Sequence, residues 1–129
     1  MKLVIESTKK FEEELEAFSE TEKLLIIEKM NQYFQMLSAD KVSFYRRLDQ
    51  VKKLRLINQY DSSLYTLRLN NKIRLILTID EDPIYDQTII TLFRVVKISD
   101  ISKAYDSVAE SLYQDLITNQ ETVGVSPVQ

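Results

Sequence analysis

Two arginines near the middle of the chain, Arg68 and Arg74, are the residues whose type and spacing point most clearly to chemistry. Both lie in the stretch LYTLRLNNKIRLILTI, residues 64–79, where two apolar runs flank a pair of asparagines. Apolar and polar residues alternate along both runs, and asparagine tolerates the positive φ that tight turns use. The stretch therefore predicts a β-hairpin.

The register of this hairpin follows from its side chains. A three-residue loop, 70–72, pairs Arg68 with Arg74 and collects the apolar residues of both strands on one buried face, namely Tyr65, Leu67, Leu69, Ile73, Leu75 and Leu77. Like charges directly opposite each other destabilise a sheet unless something compensates them. A bound phosphate would compensate the two arginines, and splaying of the long side chains into water is the alternative.

The composition limits the chemistry that the chain can perform. It has no cysteine, which excludes thiol catalysis, disulfides and thiolate zinc sites, and no histidine. Acid–base catalysis near neutral pH must then use Tyr, Lys, Asp or Glu. The acidic run at 80–86 matches no calcium loop and predicts a solvated turn, so we expect neither a metal nor a cofactor.

Charge is segregated along the chain. Residues 41–74 contain nine Lys or Arg and two Asp, a balance of +7, although the whole chain carries a net charge of −3. The remaining residues therefore carry −10. A local basic patch of this kind can bind phosphate whatever the total charge is.

The hydrophobic pattern predicts an α+β fold, with two N-terminal helices packed on a mostly antiparallel sheet of four to five strands and a C-terminal helix. Predicted strands lie at 2–6, 52–57, in the hairpin and at 87–96. Helices are predicted after a cap at Ser7 or Thr8, after a capping box at 19–22 with an end near Ser38, and after Asp100.

The chain length predicts one domain at 1–117, followed by a disordered tail at 118–129 that contains the glycine and one proline. No apolar run approaches 18 residues, and no signal-peptide pattern is present. We therefore expect a cytoplasmic protein without a membrane partner.

Five segments, in this order, resemble the RelE/ParE superfamily of toxins from bacterial type II toxin–antitoxin systems. They are KLVIESTKKFEEELEAFSE at the start, KLR at 53–55, LYTLRL and KIRLIL in the hairpin, and ISKAY at 101–105. The resemblance covers about residues 2–116 and implies a RelE-like fold.

The resemblance also implies a function and a site. RelE-like members are ribosome-dependent, metal-independent mRNA endoribonucleases, in which a ribose 2′-OH attacks the adjacent phosphate and translation is inhibited. By position, Arg68, Arg74 and Tyr105 match catalytic residues. Lys53 and Arg55, on the strand expected beside the hairpin, and Lys97 are the expected RNA-phosphate contacts. Tyr105 is expected either next to the arginines, where its pKa would be lowered and it could transfer a proton, or in the core, on the apolar face of the last helix.

Alternatives remain where the sequence departs from the family pattern. A serine, Ser99, stands at the position of a catalytic arginine, and Thr66 stands where the family has a basic strand residue. These departures motivate one alternative, a ParE-like toxin that binds DNA gyrase and has no hydrolytic site. The other alternative is a non-catalytic relative that only binds an antitoxin or RNA. The resemblance implies a cognate antitoxin as the partner of either kind of toxin. For the mRNA endoribonuclease, it implies the ribosome and mRNA as further partners.

Overall fold

The computed structural model describes residues 2–52, 54–56, 62–113 and 116–118, and gives only the backbone at 55, 56 and 116–118. A strand comes first and is followed by three helices, a series of strands and a last helix. The elements are β1 (Lys2–Ser7), α1 (Lys9–Ala17), α2 (Glu20–Ala39), α3 (Lys41–Tyr45), β2 (Leu48–Asp49), β3 (Leu54–Leu56), β4 (Leu64–Arg68), β5 (Ile73–Asp82), β6 (Gln87–Lys97), α4 (Ile101–Leu112) and β7 (Leu116–Thr118).

Five of the strands form one sheet in the order β1-β6-β5-β4-β2. β1 pairs with β6 in parallel, and the other three pairings are antiparallel. The predicted α+β class, with a mostly antiparallel sheet and a C-terminal helix, is confirmed. β6 lies between β1 and β5, and α1 packs on one of its faces and α4 on the other, which explains its nearly continuous run of apolar and β-branched residues.

The two faces of the sheet are covered by different helices. On one face, apolar residues of β4, β5 and β6 pack with residues of α1, α2 and α3, including Phe11, Ile26 and Phe44. On the other face, Leu64 and Ile76 pack with α4. We call the first the α2 face and the second the α4 face. Because strand side chains alternate, each position of the hairpin can be assigned to one face.

The helix starts follow the sequence signals. Of the two predicted caps, Thr8 is the one used, since its hydroxyl accepts from the Phe11 N–H at 3.1 Å. The N-cap half of the predicted capping box is present at the start of α2, while Glu22 contacts the Ser19 hydroxyl instead of its N–H. There the Ser19 hydroxyl accepts from the Glu22 N–H, and the Glu22 carboxylate accepts from the Ser19 hydroxyl, each at 3.2 Å. Both caps satisfy N–H groups that a helix start leaves free.

Three boundaries differ from the prediction. β5 continues to Asp82, so the turn is confined to residues 83–86, where Asp86 has φ 48°. α4 ends at Leu112, and Leu116, predicted on the helix, lies in β7. Thr118, predicted as the first residue of the tail, ends β7, while 119–129 lie outside the described residues. Within the described ranges, no helix combines the length and apolar character needed to cross a bilayer.

Candidate functional site: paired arginines at the hairpin end

The hairpin has the register that its side chains predict. Arg68 pairs with Arg74 and Leu67 with Leu75, and the Leu69 N–H donates to the Ile73 carbonyl at 3.0 Å. Hydrogen-bonded and non-hydrogen-bonded pairs alternate along an antiparallel ladder, so Arg68 and Arg74 form a non-hydrogen-bonded pair whose Cα atoms are about 4.5 Å apart. Both arginines therefore start from neighbouring points on the α4 face.

The loop that joins the two strands is closed by a side chain. The Asn70 Oδ1 atom accepts from the Lys72 N–H and the Ile73 N–H, each at 2.8 Å. Among the described residues, the only non-glycine residue with positive φ is Asp86, so the loop asparagines do not use the positive φ that they tolerate. Asparagine is favoured here because its side chain mimics a turn of the backbone.

The same loop holds both guanidinium groups. Arg74 donates to the Asn70 carbonyl at 2.7 Å and to the Ile73 carbonyl at 3.2 Å, and Arg68 donates to the side-chain oxygen of Asn71. From the opposite face, the Tyr33 hydroxyl of α2 donates to the Arg68 carbonyl at 2.7 Å. Arg68 is exposed and Arg74 half-buried. Contacts to neutral groups orient the two cations and leave their charges in place.

No carboxylate among the described residues forms a salt bridge with Arg68 or Arg74. Two other cations of the basic segment are neutralised. Lys41 forms an ion pair with Glu81, and Lys52 forms one with Asp106 at 2.8 Å. Among the cations of this segment whose side chains the structure describes, those without a carboxylate partner therefore lie toward the hairpin end of the sheet.

The strand predicted to carry Lys53 and Arg55 beside the hairpin has a different partner. β3, which contains Arg55, pairs with β7 in a separate two-stranded sheet, so the expectation that it neighbours the hairpin is wrong. The side chain of Arg55 and the whole of Lys53 lie outside the described residues. The strand next to β4 is β2 instead. Alternation alone predicted a strand at 52–57 but gave no information about its partner.

Lys97 lies on the other side of the sheet. Arg74 pairs with Val96, which belongs to the cluster on the α4 face, and Lys97 is the next residue along β6. Its position is therefore on the α2 face, where it lines a surface cavity of about 350 Å³ together with Ala17, Phe18 and other residues. The register separates Lys97 from the arginine pair.

Tyr105 belongs to the core. Its side chain is fully buried between α4 and the sheet, and its hydroxyl donates to the Leu64 carbonyl at 2.8 Å. Burial raises its pKa, so the expected lowering of that pKa is wrong. Leu64 is four residues from Arg68 on β4, about 13 Å along an extended strand. Of the two predicted positions, beside the arginines or in the core, the structure shows the second.

One basic residue that the sequence analysis did not single out lies next to the pair. β2 pairs with β4 through Leu48 opposite Leu67 and Asp49 opposite Thr66. Arg47, an exposed turn residue directly before β2, would lie beside Arg68 if this register continued by one residue. The segment 41–49 lacks periodicity, so only the pairing of β2 with β4 reveals this neighbour.

The best-formed ion pair of the described residues lies away from the arginine pair. The Arg94 Nε donates to both Glu14 carboxylate oxygens at 2.9 Å, and the Arg94 Nη2 lies 2.8 Å from Glu14 Oε2. The Glu14 carboxylate also accepts from the Val95 N–H at 3.2 Å. β1 ends opposite Leu92, so Glu14 satisfies a backbone group of β6 that no strand pairs on that edge. The contact fastens α1 to the sheet.

No protein-family model matches the chain, and no curated protein matches it. Among solved structures, the chain is similar to the YoeB dimer from Staphylococcus aureus, with 18% identity, a TM-score of 0.46, and coverage of 74% of this chain and 97% of the other. It is also similar to a YoeB/ParE toxin from Agrobacterium tumefaciens, with 13% identity, a TM-score of 0.45, and coverage of 75% and 98%.

Proposed function

We propose that this chain is the toxin of a bacterial toxin–antitoxin pair and that it cleaves mRNA on the ribosome without a metal. The observation that carries the proposal is the pairing of Arg68 with Arg74 on one face of the sheet, with no carboxylate partner among the described residues. The order of elements agrees with the five sequence segments that resemble RelE/ParE toxins.

The arginine pair suits phosphodiester cleavage by the RNA's own 2′-OH. In that reaction the 2′ oxygen bonds to phosphorus, the bond from phosphorus to the 5′ oxygen breaks, and negative charge grows on the two non-bridging oxygens. Guanidinium forks match these oxygens in geometry and charge. Groups held in position before the reaction stabilise such charge at little reorganisation cost. The loop contacts of Arg68 and Arg74 supply that positioning.

Proton transfer is assigned to neither a histidine nor Tyr105. The chain has no histidine, and the Tyr105 hydroxyl is buried and already donates to the Leu64 carbonyl. A raised pKa also disfavours the tyrosinate form at neutral pH. Carboxylates and lysines of the chain, or groups of the ribosome, supply the acid and base in this proposal.

The same surface is suited to an antitoxin. Arg68 is exposed, and a basic patch attracts a partner of opposite charge. An acidic segment of the antitoxin that lies over the hairpin end would occupy the place of the RNA phosphate. Binding of antitoxin and binding of RNA would then exclude each other.

Expression in a bacterial host tests this function. We expect rapid arrest of translation, cuts within translated messages by primer extension, and loss of both with Arg74→Ala. Arg46→Ala is the matched control, because Arg46 is exposed, carries the same charge and caps the end of α3 instead of lying in the sheet. Filamentation with an SOS response would point to DNA gyrase instead, and an absence of any growth defect would refute a toxin.

A further inference from the structure

We infer that Arg47 forms a third RNA contact beside Arg68 and Arg74, so that the RNA strand crosses β5 and β4 toward β2 and two successive phosphates are held. This inference rests on the proposed function and adds to it the direction of the RNA. We call Arg47, Arg68 and Arg74 the arginine row.

The position of Arg47 follows from the packing of β2. Leu48 pairs with Leu67 and packs against the core of the α2 face, and Asp49 pairs with Thr66 on the α4 face. By the same alternation we place Arg47, the turn residue before Leu48, on the α4 face. Its N–H donates to the Phe44 carbonyl at 2.9 Å, which fixes its backbone directly after α3. The row therefore contains one arginine from each of three adjacent segments of the chain.

The spacing of the row suits more than one phosphate. Adjacent strands lie about 4.8 Å apart, which separates the Cα positions of Arg47 and Arg74 by about 10 Å. A phosphodiester has two non-bridging oxygens, and Arg68 and Arg74 directly face each other across their strands. The more distant Arg47 is therefore placed to bind the next phosphate along the strand.

One carboxylate lies near the row. Asp49 pairs with Thr66 and so lies on the same face, two positions from Arg47 on β2. It is exposed, and among the described residues it forms no salt bridge with Arg47 or Arg68. A negative charge at this point weakens the attraction of the row for phosphate. Removal of that charge should therefore strengthen RNA binding.

The test is the binding of a short single-stranded RNA to the full chain, measured by fluorescence anisotropy over a series of salt concentrations. For single strands, the slope of log K against log salt changes by about 0.7 for each phosphate contact. We expect Arg47→Ala to weaken binding and to reduce the slope by about 0.7. Arg46→Ala should leave the slope unchanged, and Asp49→Asn should strengthen binding at low salt.

The outcomes separate this inference from the function on which it rests. If Arg74→Ala weakens binding while Arg47→Ala behaves like Arg46→Ala, the arginine row is refuted and the paired site stands. If the wild-type chain binds no RNA, the arginine row is refuted, while the proposed nuclease is tested separately by primer extension on translated messages. Thermal unfolding of each variant shows whether a loss of binding is a loss of fold, and Arg47→Glu, which should weaken binding more than Arg47→Ala, provides a second test of the same position.

Discussion

Replacement of Tyr105 by phenylalanine separates a structural tyrosine from a catalytic one. The hydroxyl is fully buried and donates to the Leu64 carbonyl at 2.8 Å, and the same carbonyl also accepts from the Gln50 side chain at 3.2 Å. Phenylalanine fills nearly the same volume, so Tyr105→Phe leaves no large cavity. Because Gln50 still satisfies the carbonyl, the cost is that of one hydrogen bond, about 1 kcal/mol of unfolding free energy.

The difference in unfolding free energy between the wild type and Tyr105→Phe should depend on pH. Burial raises the pKa of Tyr105 above its ordinary value of 10.0, which means that the folded state favours the neutral phenol. The associated stability is fully present below pH 10.0 and is lost as the pH rises toward the folded-state pKa. The phenylalanine variant lacks this loss. The difference in stability between the two proteins should therefore narrow above pH 10.0.

The assay combines urea unfolding with cleavage of a translated message. We expect Tyr105→Phe to lower the unfolding free energy and to leave cleavage within twofold, since the hydroxyl does not reach the arginine pair. The double variant with Gln50→Ala should cost more than the sum of the two single changes, because the Leu64 carbonyl then loses both donors. A cleavage rate that falls a hundredfold while stability is unchanged would refute the assignment of Tyr105 to the core.

Three further predictions concern contacts that hold the fold around the site. Glu14→Gln should lower the unfolding free energy by about 1–3 kcal/mol in urea, because Arg94 keeps its half-buried charge without a counter-ion; an unchanged midpoint would show that this pair is not needed. Asn70→Ala should cost about 1–2 kcal/mol, since two backbone N–H groups of the loop lose their acceptor, and should also weaken RNA binding; retention of both properties would contradict the role given to the loop. The hydrogen bond from Lys41 lowers the pKa of Glu81 in the folded state. The ionised Glu81 side chain therefore stabilises the fold above about pH 4.5, and this stabilisation is lost as the pH falls through the lower folded-state pKa. Glu81→Gln should flatten the acid side of the stability curve, and identical acid curves would refute this.

The hairpin register is the part of the structure that the sequence predicts best. A one-residue shift would move every apolar side chain of β4 and β5 to the wrong face, so the pattern admits one solution, and Arg68 opposite Arg74 follows from it. The same pattern does not reveal how the loop closes. Asn70 closes it through its side-chain oxygen, a local hydrogen bond that composition alone does not distinguish from a positive-φ turn.

The environment of the arginine pair was less accessible from the sequence. An alternating segment predicts a strand but does not identify its partner, and β3 pairs with β7 while β2 occupies the place next to β4. β2 has only two residues, too few to give a periodic signal, so the position of Arg47 beside Arg68 depends on a long-range pairing. Alternation along β6 assigns Lys97 and Val96 to opposite faces of the sheet. The face that carries the arginines becomes known only from the pairing of β5 with β6, which sets Arg74 opposite Val96.

Single-turnover cleavage of mRNA bound to purified ribosomes tests the central claim most directly. If the paired guanidinium groups stabilise the charge that grows on the scissile phosphate, Arg74→Ala should slow cleavage by about 100- to 1,000-fold, the cost of one such donor in other enzymes, while Arg46→Ala cleaves at the wild-type rate. Equal rates for wild type and Arg74→Ala, in a variant shown to be folded, would contradict the claim.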